Sequence, residues 1–277
     1  MKKYKELYID SNDGLKLFCR CFIPEIKPKK VVIIVHGLGE HSGRYEEFIR
    51  ALNKENYGVY SYDQRGHGVS DGQRGHSPDF NSLLNDLDRV FDAVIAESKP
   101  EQIFLFGHSM GGNVAANYLL KRKNDLIKAS ILSSPWIELA FEPPAYMLFL
   151  AKSVGRIFPS FSQSTKLDVH ALSKQSEEVK KYIEDPLVHD KITAGAYLEI
   201  FGAGKNILLN ADKLNIPILL MHGKKDKITS FESSKKVASA NVGKVKFLEF
   251  ENGYHELLHD EEKTDFTKEV IEFLKSV

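Results

Sequence analysis

Ser109 stands in Gly107-His108-Ser109-Met110-Gly111, a G-x-S-x-G spacing. A serine hydroxyl is a weak nucleophile at its own pKa, so attack on a carbonyl needs a base to take its proton and a carboxylate to orient that base. The chain offers both, in the order serine, acid, histidine. Asp226 follows the apolar run IPILLMHG, and His255 follows the run VKFLEF and the turn Glu251-Asn252-Gly253. A competing chemistry begins at the same histidine. His255-Glu256-Leu257-Leu258-His259 matches HExxH, which on a long helix sets two zinc-binding histidines one turn apart with a glutamate base between them. Here the motif opens the last loop, one amphipathic helix follows it, and a third ligand has no evident source. His255 is therefore expected as a general base, Glu256 and His259 as ordinary polar loop residues, with no metal and no cofactor.

These groups need elements to position them, and the apolar runs supply them. VVIIVH, YGVYSYD, IFLFGH, KASILSS, IPILLMHG and VKFLEF are short and often continuously apolar, as strands buried in a parallel sheet are. Between most of them lie helical periodicities: RYEEFIRALNKEN, FNSLLNDLDRVFDAVIAES, GGNVAANYLLKR, FESSKKVASA and DFTKEVIEFLKSV. KELYI and LKLFCRCF flank Asn12-Asp13-Gly14, a turn signal for an antiparallel hairpin. The expected fold is α/β, a mostly parallel sheet covered on both faces and preceded by that hairpin. Between Ser134 and Asn215 no convincing strand appears, so residues 136–205 are expected to form a helical cap inserted into a core of residues 1–135 and 206–277. In this order IFLFGH is a strand running into the serine turn, and the helix rich in small residues follows. Glycine at 107 and 111 lets that strand and helix approach without Cβ clashes. Gly37-Leu38-Gly39, just after VVIIVH, places the amide of Leu38 beside that of Met110 as a pair of oxyanion donors. His36 is read as a structural, hydrogen-bonded histidine.

Composition narrows the class. Among 277 residues, 42% are hydrophobic and 27% charged, enough for a large core, while 38 basic residues balance 38 acidic ones. No overall field draws the chain to nucleic acid, and none is expected as a partner. Cys19 and Cys21 sit one residue apart in a strand-like stretch, where a disulfide between them is sterically disfavoured and free thiols fit a cytoplasmic compartment. No apolar run approaches the roughly 20 residues of a membrane span.

The segments HGLGEHSGRYEEFIRAL, YDQRGHGVSDGQRGH, FLFGHSMGG, DPLVHDKIT and YHELLHD together resemble the monoacylglycerol lipase and lysophospholipase-like branch of the α/β-hydrolases, the serine aminopeptidase S33 or "hydrolase 4" group. The resemblance spans nearly the whole chain and is weakest between about Trp136 and Tyr182. It implies Ser109 as nucleophile, Asp226 as acid, His255 as base, Leu38 and Met110 as oxyanion donors, and a structural loop from Asp63 to Gly68. The expected reaction is hydrolysis of a monoacylglycerol, with a lysophospholipid or a short-chain ester as the alternatives and a non-catalytic ligand-binding protein as the reading from another class. The run Pro143–Ala151 is apolar around most of a helix, which either packs on the core and lines nothing or lines an acyl tunnel with Leu148 and Phe149, the second being the expectation. With Lys152 and Arg156 on its polar side, that helix is also expected to touch a membrane or lipid aggregate transiently. The polar loop of Glu40, His41 and Arg44 is expected to face a small hydroxylated head group.

Overall fold

The computed structural model describes residues 4–142, 155 and 157–277. Eight strands form one sheet: β1 (Lys5–Asp10), β2 (Lys16–Phe22), β3 (Lys30–Val35), β4 (Gly58–Tyr62), β5 (Gln102–His108), β6 (Ile127–Ser133), β9 (Ile218–Gly223) and β10 (Val245–Phe250). Their spatial order is β1-β2-β4-β3-β5-β6-β9-β10. β1 and β2 make the expected antiparallel hairpin, with Gly14 at φ +88° in its turn, and β2 runs antiparallel to β4. Every later pairing is parallel.

The continuous apolar runs are explained by burial on both faces. Val31, Ile33 and Val35 of β3, with Ile103 and Leu105 of β5, pack into one core cluster under α2 (Phe80–Ser98) and α3 (Met110–Lys121). Val32, Ile34, Phe104 and Phe106 point the other way, into a second cluster with α1 (Glu46–Lys54) and α7 (Lys263–Ser276). Alternate residues of a strand face opposite sides, so a strand covered twice has no polar face to show. Cys19 and Cys21 share one face of β2, and both are free and buried.

Two features of the interval after β6 differ from expectation. A small antiparallel pair, β7 (Ser162–Ser164) with β8 (Lys191–Thr193), lies where no strand was expected. Three-residue strands of sequence SQS and KIT are too short and too polar to produce a period-2 signal. The boundary expected at residue 205 also falls inside a helix, because α5 (Ala194–Leu209) runs across it. α4 (Ser176–Glu184) precedes it, and α6 (Phe231–Ala240) lies further along, after β9.

α5 is tied to α3 by buried amides. Asn113 Nδ2 donates to the carbonyls of Trp136 (2.7 Å) and Ile200 (3.1 Å), Asn117 Nδ2 donates to that of Ala203 (3.1 Å), and Asn206 Nδ2 reaches Asn117 Oδ1 (2.8 Å). The helix that follows Ser109 is thus fixed to α5 and to Trp136. Asn113→Leu would leave the buried Trp136 carbonyl without its partner, at about 1–3 kcal/mol, and would remove a further bond of about 0.5–1.5 kcal/mol to the Ile200 carbonyl, which its own helix already engages. A loss of about 2–4 kcal/mol in urea denaturation is expected, whereas a loss below 1 kcal/mol would show that the amides are dispensable.

Candidate active site

Ser109 sits between β5 and α3 with φ 51° and ψ −118°. That backbone is sparsely populated for a residue with a Cβ, and it persists because the surroundings leave no alternative. A Cβ on Gly107 would lie 2.4 Å from the Gly111 carbonyl oxygen, and one on Gly111 would lie 2.1 Å from that of Val35. Only glycine allows strand, turn and helix to close this tightly. Ser109 N–H donates to the Ser133 carbonyl (3.0 Å), and the Ser109 carbonyl accepts from Trp136 N–H (2.8 Å), so the turn is held from β6 as well.

His255 arrives from the loop after β10 with Nε2 3.0 Å from Ser109 Oγ and Nδ1 2.8 Å from Asp226 Oδ2. A carboxylate beside Nδ1 can only accept, so Nδ1 carries the proton and the Nε2 lone pair faces the serine hydroxyl. Burial would lower the His255 pKa, but the charge and hydrogen bond of Asp226, aided by Glu256 and Glu40, outweigh it and raise the value above 6.5. Asp226 follows β9 and is buried. Burial works to raise its carboxyl, yet His255 and His222 together hold it well below the ordinary carboxylate range. Its Oδ1 accepts from the N–H groups of Ile228 (2.7 Å) and Thr229 (3.0 Å), and its Oδ2 accepts from Thr229 Oγ1 (2.8 Å). The structure thus brings Ser109, His255 and Asp226 into one hydrogen-bonded line at the carboxyl edge of the sheet. Such a line can move a proton off a hydroxyl as that hydroxyl attacks a carbonyl.

The backbone N–H groups of Leu38 and Met110 have no acceptor among the described residues. Gly37 lies against the nucleophile turn, since a Cβ there would be 3.2 Å from Ser109 Cβ. His36 is hydrogen-bonded as a structural residue: its Nδ1 is 2.7 Å from the Gly37 carbonyl, and its Nε2 accepts from Gln64 N–H at 2.9 Å. Asp63 likewise braces loops, taking N–H groups of Ser42 (2.7 Å) and Val69 (2.8 Å).

Glu40, His41 and Arg44 turn inward and engage polar groups of the protein. Glu40 accepts from Gly37 N–H (2.6 Å), Tyr45 Oη (2.7 Å) and Arg44 (3.0 Å). Arg44 makes a two-pronged pair with Glu256 at 2.6 and 2.7 Å and lies over the Tyr182 ring, while His41 pairs with Asp185 at 2.9 Å. The physical reason is that partners distant in sequence, Glu256 and Asp185, close over the loop. Leu148 and Phe149 lie outside the described residues.

Glu256 is therefore more than a polar loop residue, although its neighbours do not form a zincin helix. Leu257–His259 is a single 3-10 turn, and both ring nitrogens of His255 are already engaged by Asp226 and Ser109. Met110 packs in a buried cluster with Trp136, Ile192, Ala196 and Ile200, and Leu38, Leu139 and Tyr197 border them. This apolar wall, drawn largely from the interval after β6, thus includes the two candidate oxyanion residues. Sequence reading missed Thr229, His222 and the Arg44–Glu256 pair. Thr229 and His222 flank Asp226 closely enough to have been found by asking what would hold a buried carboxylate, whereas no local signal links residues 44 and 256.

Arg44→Met should leave the Glu40 and Glu256 carboxylates buried without their countercharge. Breaking a buried pair from one side costs about 3–5 kcal/mol. Urea denaturation at pH 7 should show a loss of that size, and a change under 1 kcal/mol would mean the pairs are effectively solvated.

Comparison with known proteins identifies the family. The family model described as serine aminopeptidase, S33, matches residues 26–262. An abhydrolase domain-containing protein of Dictyostelium discoideum is 35% identical over 96% of this chain, which spans 28% of that longer protein. The monoglyceride lipase of Rattus norvegicus is 30% identical over 93% of this chain and 86% of its own. Among solved structures, the monoacylglycerol lipase of Paleococcus ferrophilus superposes with a TM-score of 0.85 at 38% identity, covering 94% of this chain and 98% of that one. The chain belongs to the serine aminopeptidase S33 family, among its monoacylglycerol lipase-like carboxylic ester hydrolases of α/β-hydrolase fold.

Proposed function

We propose that the protein hydrolyses monoacylglycerols through an acyl-enzyme on Ser109. The observation that carries this reading is the unbroken line Ser109 Oγ, His255 Nε2, His255 Nδ1, Asp226 Oδ2, with steps of 3.0 and 2.8 Å. Ser109 attacks the ester carbonyl while His255 takes its proton, and Asp226 steadies the imidazolium that forms. The N–H groups of Leu38 and Met110 receive the oxyanion. His255 then returns the proton to the departing alcohol, and a water activated by the same histidine releases the acid.

The choice of lipid ester rests on the apolar wall beside the oxyanion residues and on the similarity to proteins named as monoglyceride and monoacylglycerol lipases. Leu148 and Phe149 are assigned to the acyl tunnel. Residues on either side of them expose apolar surface: Phe141 is 54% exposed, Ile157 71%, Phe158 64% and Phe161 56%. Aromatic and aliphatic side chains held out to solvent on one segment support transient contact with a membrane or lipid aggregate, the source of the substrate. No helix among the described residues is long and apolar enough to cross a membrane. A cytoplasmic protein that visits membranes from outside fits this and the two free thiols.

Ser109→Ala should fold normally and lose ester turnover by about a million-fold in kcat. Retention of more than a thousandth of the wild-type rate would remove Ser109 as the nucleophile. His255→Ala should behave alike, while His259→Ala keeps activity and chelators have no effect on the wild type.

Acyl specificity has its own signature. Each methylene buried in an apolar tunnel contributes about 0.8 kcal/mol, roughly fourfold in kcat/KM, until the tunnel is full. Monoacylglycerols of increasing chain length should therefore be cleaved progressively faster and better than triacylglycerols, with Leu148→Asp or Phe149→Asp harming long chains most. A maximum at acetate or butyrate, with those substitutions affecting all lengths equally, would instead identify a short-chain carboxylesterase.

A further inference from the structure

Asp226 serves two imidazoles. His222, the fifth residue of β9, is fully buried, and its Nε2 lies 3.0 Å from Asp226 Oδ2 and 3.2 Å from the Thr229 carbonyl. Both neighbours can only accept, so Nε2 carries a proton. Its Nδ1 is 2.8 Å from Ser234 Oγ on α6, a hydroxyl able to donate to it. A neutral ring in this single tautomer satisfies every partner. Five donors then converge on the Asp226 carboxylate: the N–H groups of Ile228 and Thr229 on Oδ1, and Thr229 Oγ1, His222 Nε2 and His255 Nδ1 on Oδ2.

Each hydrogen bond to a carboxylate stabilises its charge and weakens its hold on any one partner. His222 and His255 share the same oxygen, so what His222 takes is withdrawn from His255. We propose that His222 is a positioning residue whose Nε2–H pins Asp226 and, by drawing on its charge, sets the pH at which His255 becomes a free base. This rests on His255 being the base. The remaining groups that face this line are His108, whose ring is 4.9 Å from that of His255, and Glu256, Glu40 and Arg44 on the opposite side. Phe231 and Ser234 of α6 and the Ser134 carbonyl close the Asp226 end. A substitution at 222 leaves His108, Glu256, Glu40 and Arg44 in place and, among these groups, changes only the contacts to Ser234 and Phe231.

Two variants separate the electronic role from simple packing. His222→Gln can place an amide N–H near the Nε2 position, toward Asp226. His222→Asn places its amide near the Nδ1 position, toward Ser234, and takes the donor away. Without the donor, Asp226 holds the His255 proton more tightly, so the acid limb of kcat/KM moves to higher pH. His222→Asn should shift that limb upward by about 0.5–1 pH unit while keeping the alkaline plateau within about threefold, and His222→Gln should restore the wild-type limb. A uniform loss at every pH with the limb unmoved, or a downward shift, overturns the proposal. Nitrogen-15 NMR of histidine-labelled wild-type protein tests it without any variant folding: His222 should show a protonated Nε2 and an unprotonated Nδ1. The opposite tautomer overturns it. That tautomer is read even if no ester is turned over, a result that would remove the hydrolase reading instead.

Discussion

The backbone of Ser109 is the constraint on which the rest of the site depends. Holding a non-glycine residue at φ 51° and ψ −118° costs about 1–3 kcal/mol, and the fold meets that cost through contacts that leave no other path. β5 and α3 approach so closely that the Gly107 and Gly111 positions touch neighbouring carbonyls, and β6 grips the serine amide. A sharp turn at this point has two results. It lifts Oγ clear of the sheet edge toward His255, and it opens α3 at Met110 next to the loop after β3. The proposed nucleophile and the proposed anion donor would thus be two products of one local geometry.

The loops that complete the site are held by charge rather than by strain. Arg44 joins Glu40, which grips the Gly37 amide, to Glu256, which adjoins His255 in the chain. One guanidinium therefore links the loop of Gly37 and Leu38 to the loop of His255. Burial penalises both carboxylates, yet Arg44 keeps each below its ordinary pKa, so both remain charged across the neutral range. These charges also help raise His255, while the neighbouring His108 is held down to about 4 by burial and then by His255 itself. A neutral His108 beside the base adds no positive charge that would repel the proton His255 must accept.

What could be read in advance follows from how far apart the cooperating residues lie. Strands such as VVIIV and ILLMHG were legible because a doubly covered sheet leaves its apolar runs uninterrupted. The relation of Ser109 to its strand and helix was legible because it is local. The inward pairing of His41 and Arg44 was not legible, because a sequence window displays residue type and not direction, and their partners Asp185 and Glu256 lie more than 140 positions away. His222 passed as one more strand residue, although a histidine four places before a buried aspartate is a plausible donor to it. The polar pair β7 and β8 escaped notice because three residues cannot display a period.

The central claim, that Ser109 is activated by His255 and attacks an acyl carbon, is tested most directly by locating the adduct of a fluorophosphonate, whose bond to the nucleophile does not turn over. After reaction to completion, peptide mass spectrometry should find one phosphonyl group per chain, on Ser109, with ester hydrolysis lost in proportion to its incorporation. An adduct on another residue, or hydrolysis that continues unchanged in protein modified at Ser109, would contradict the account.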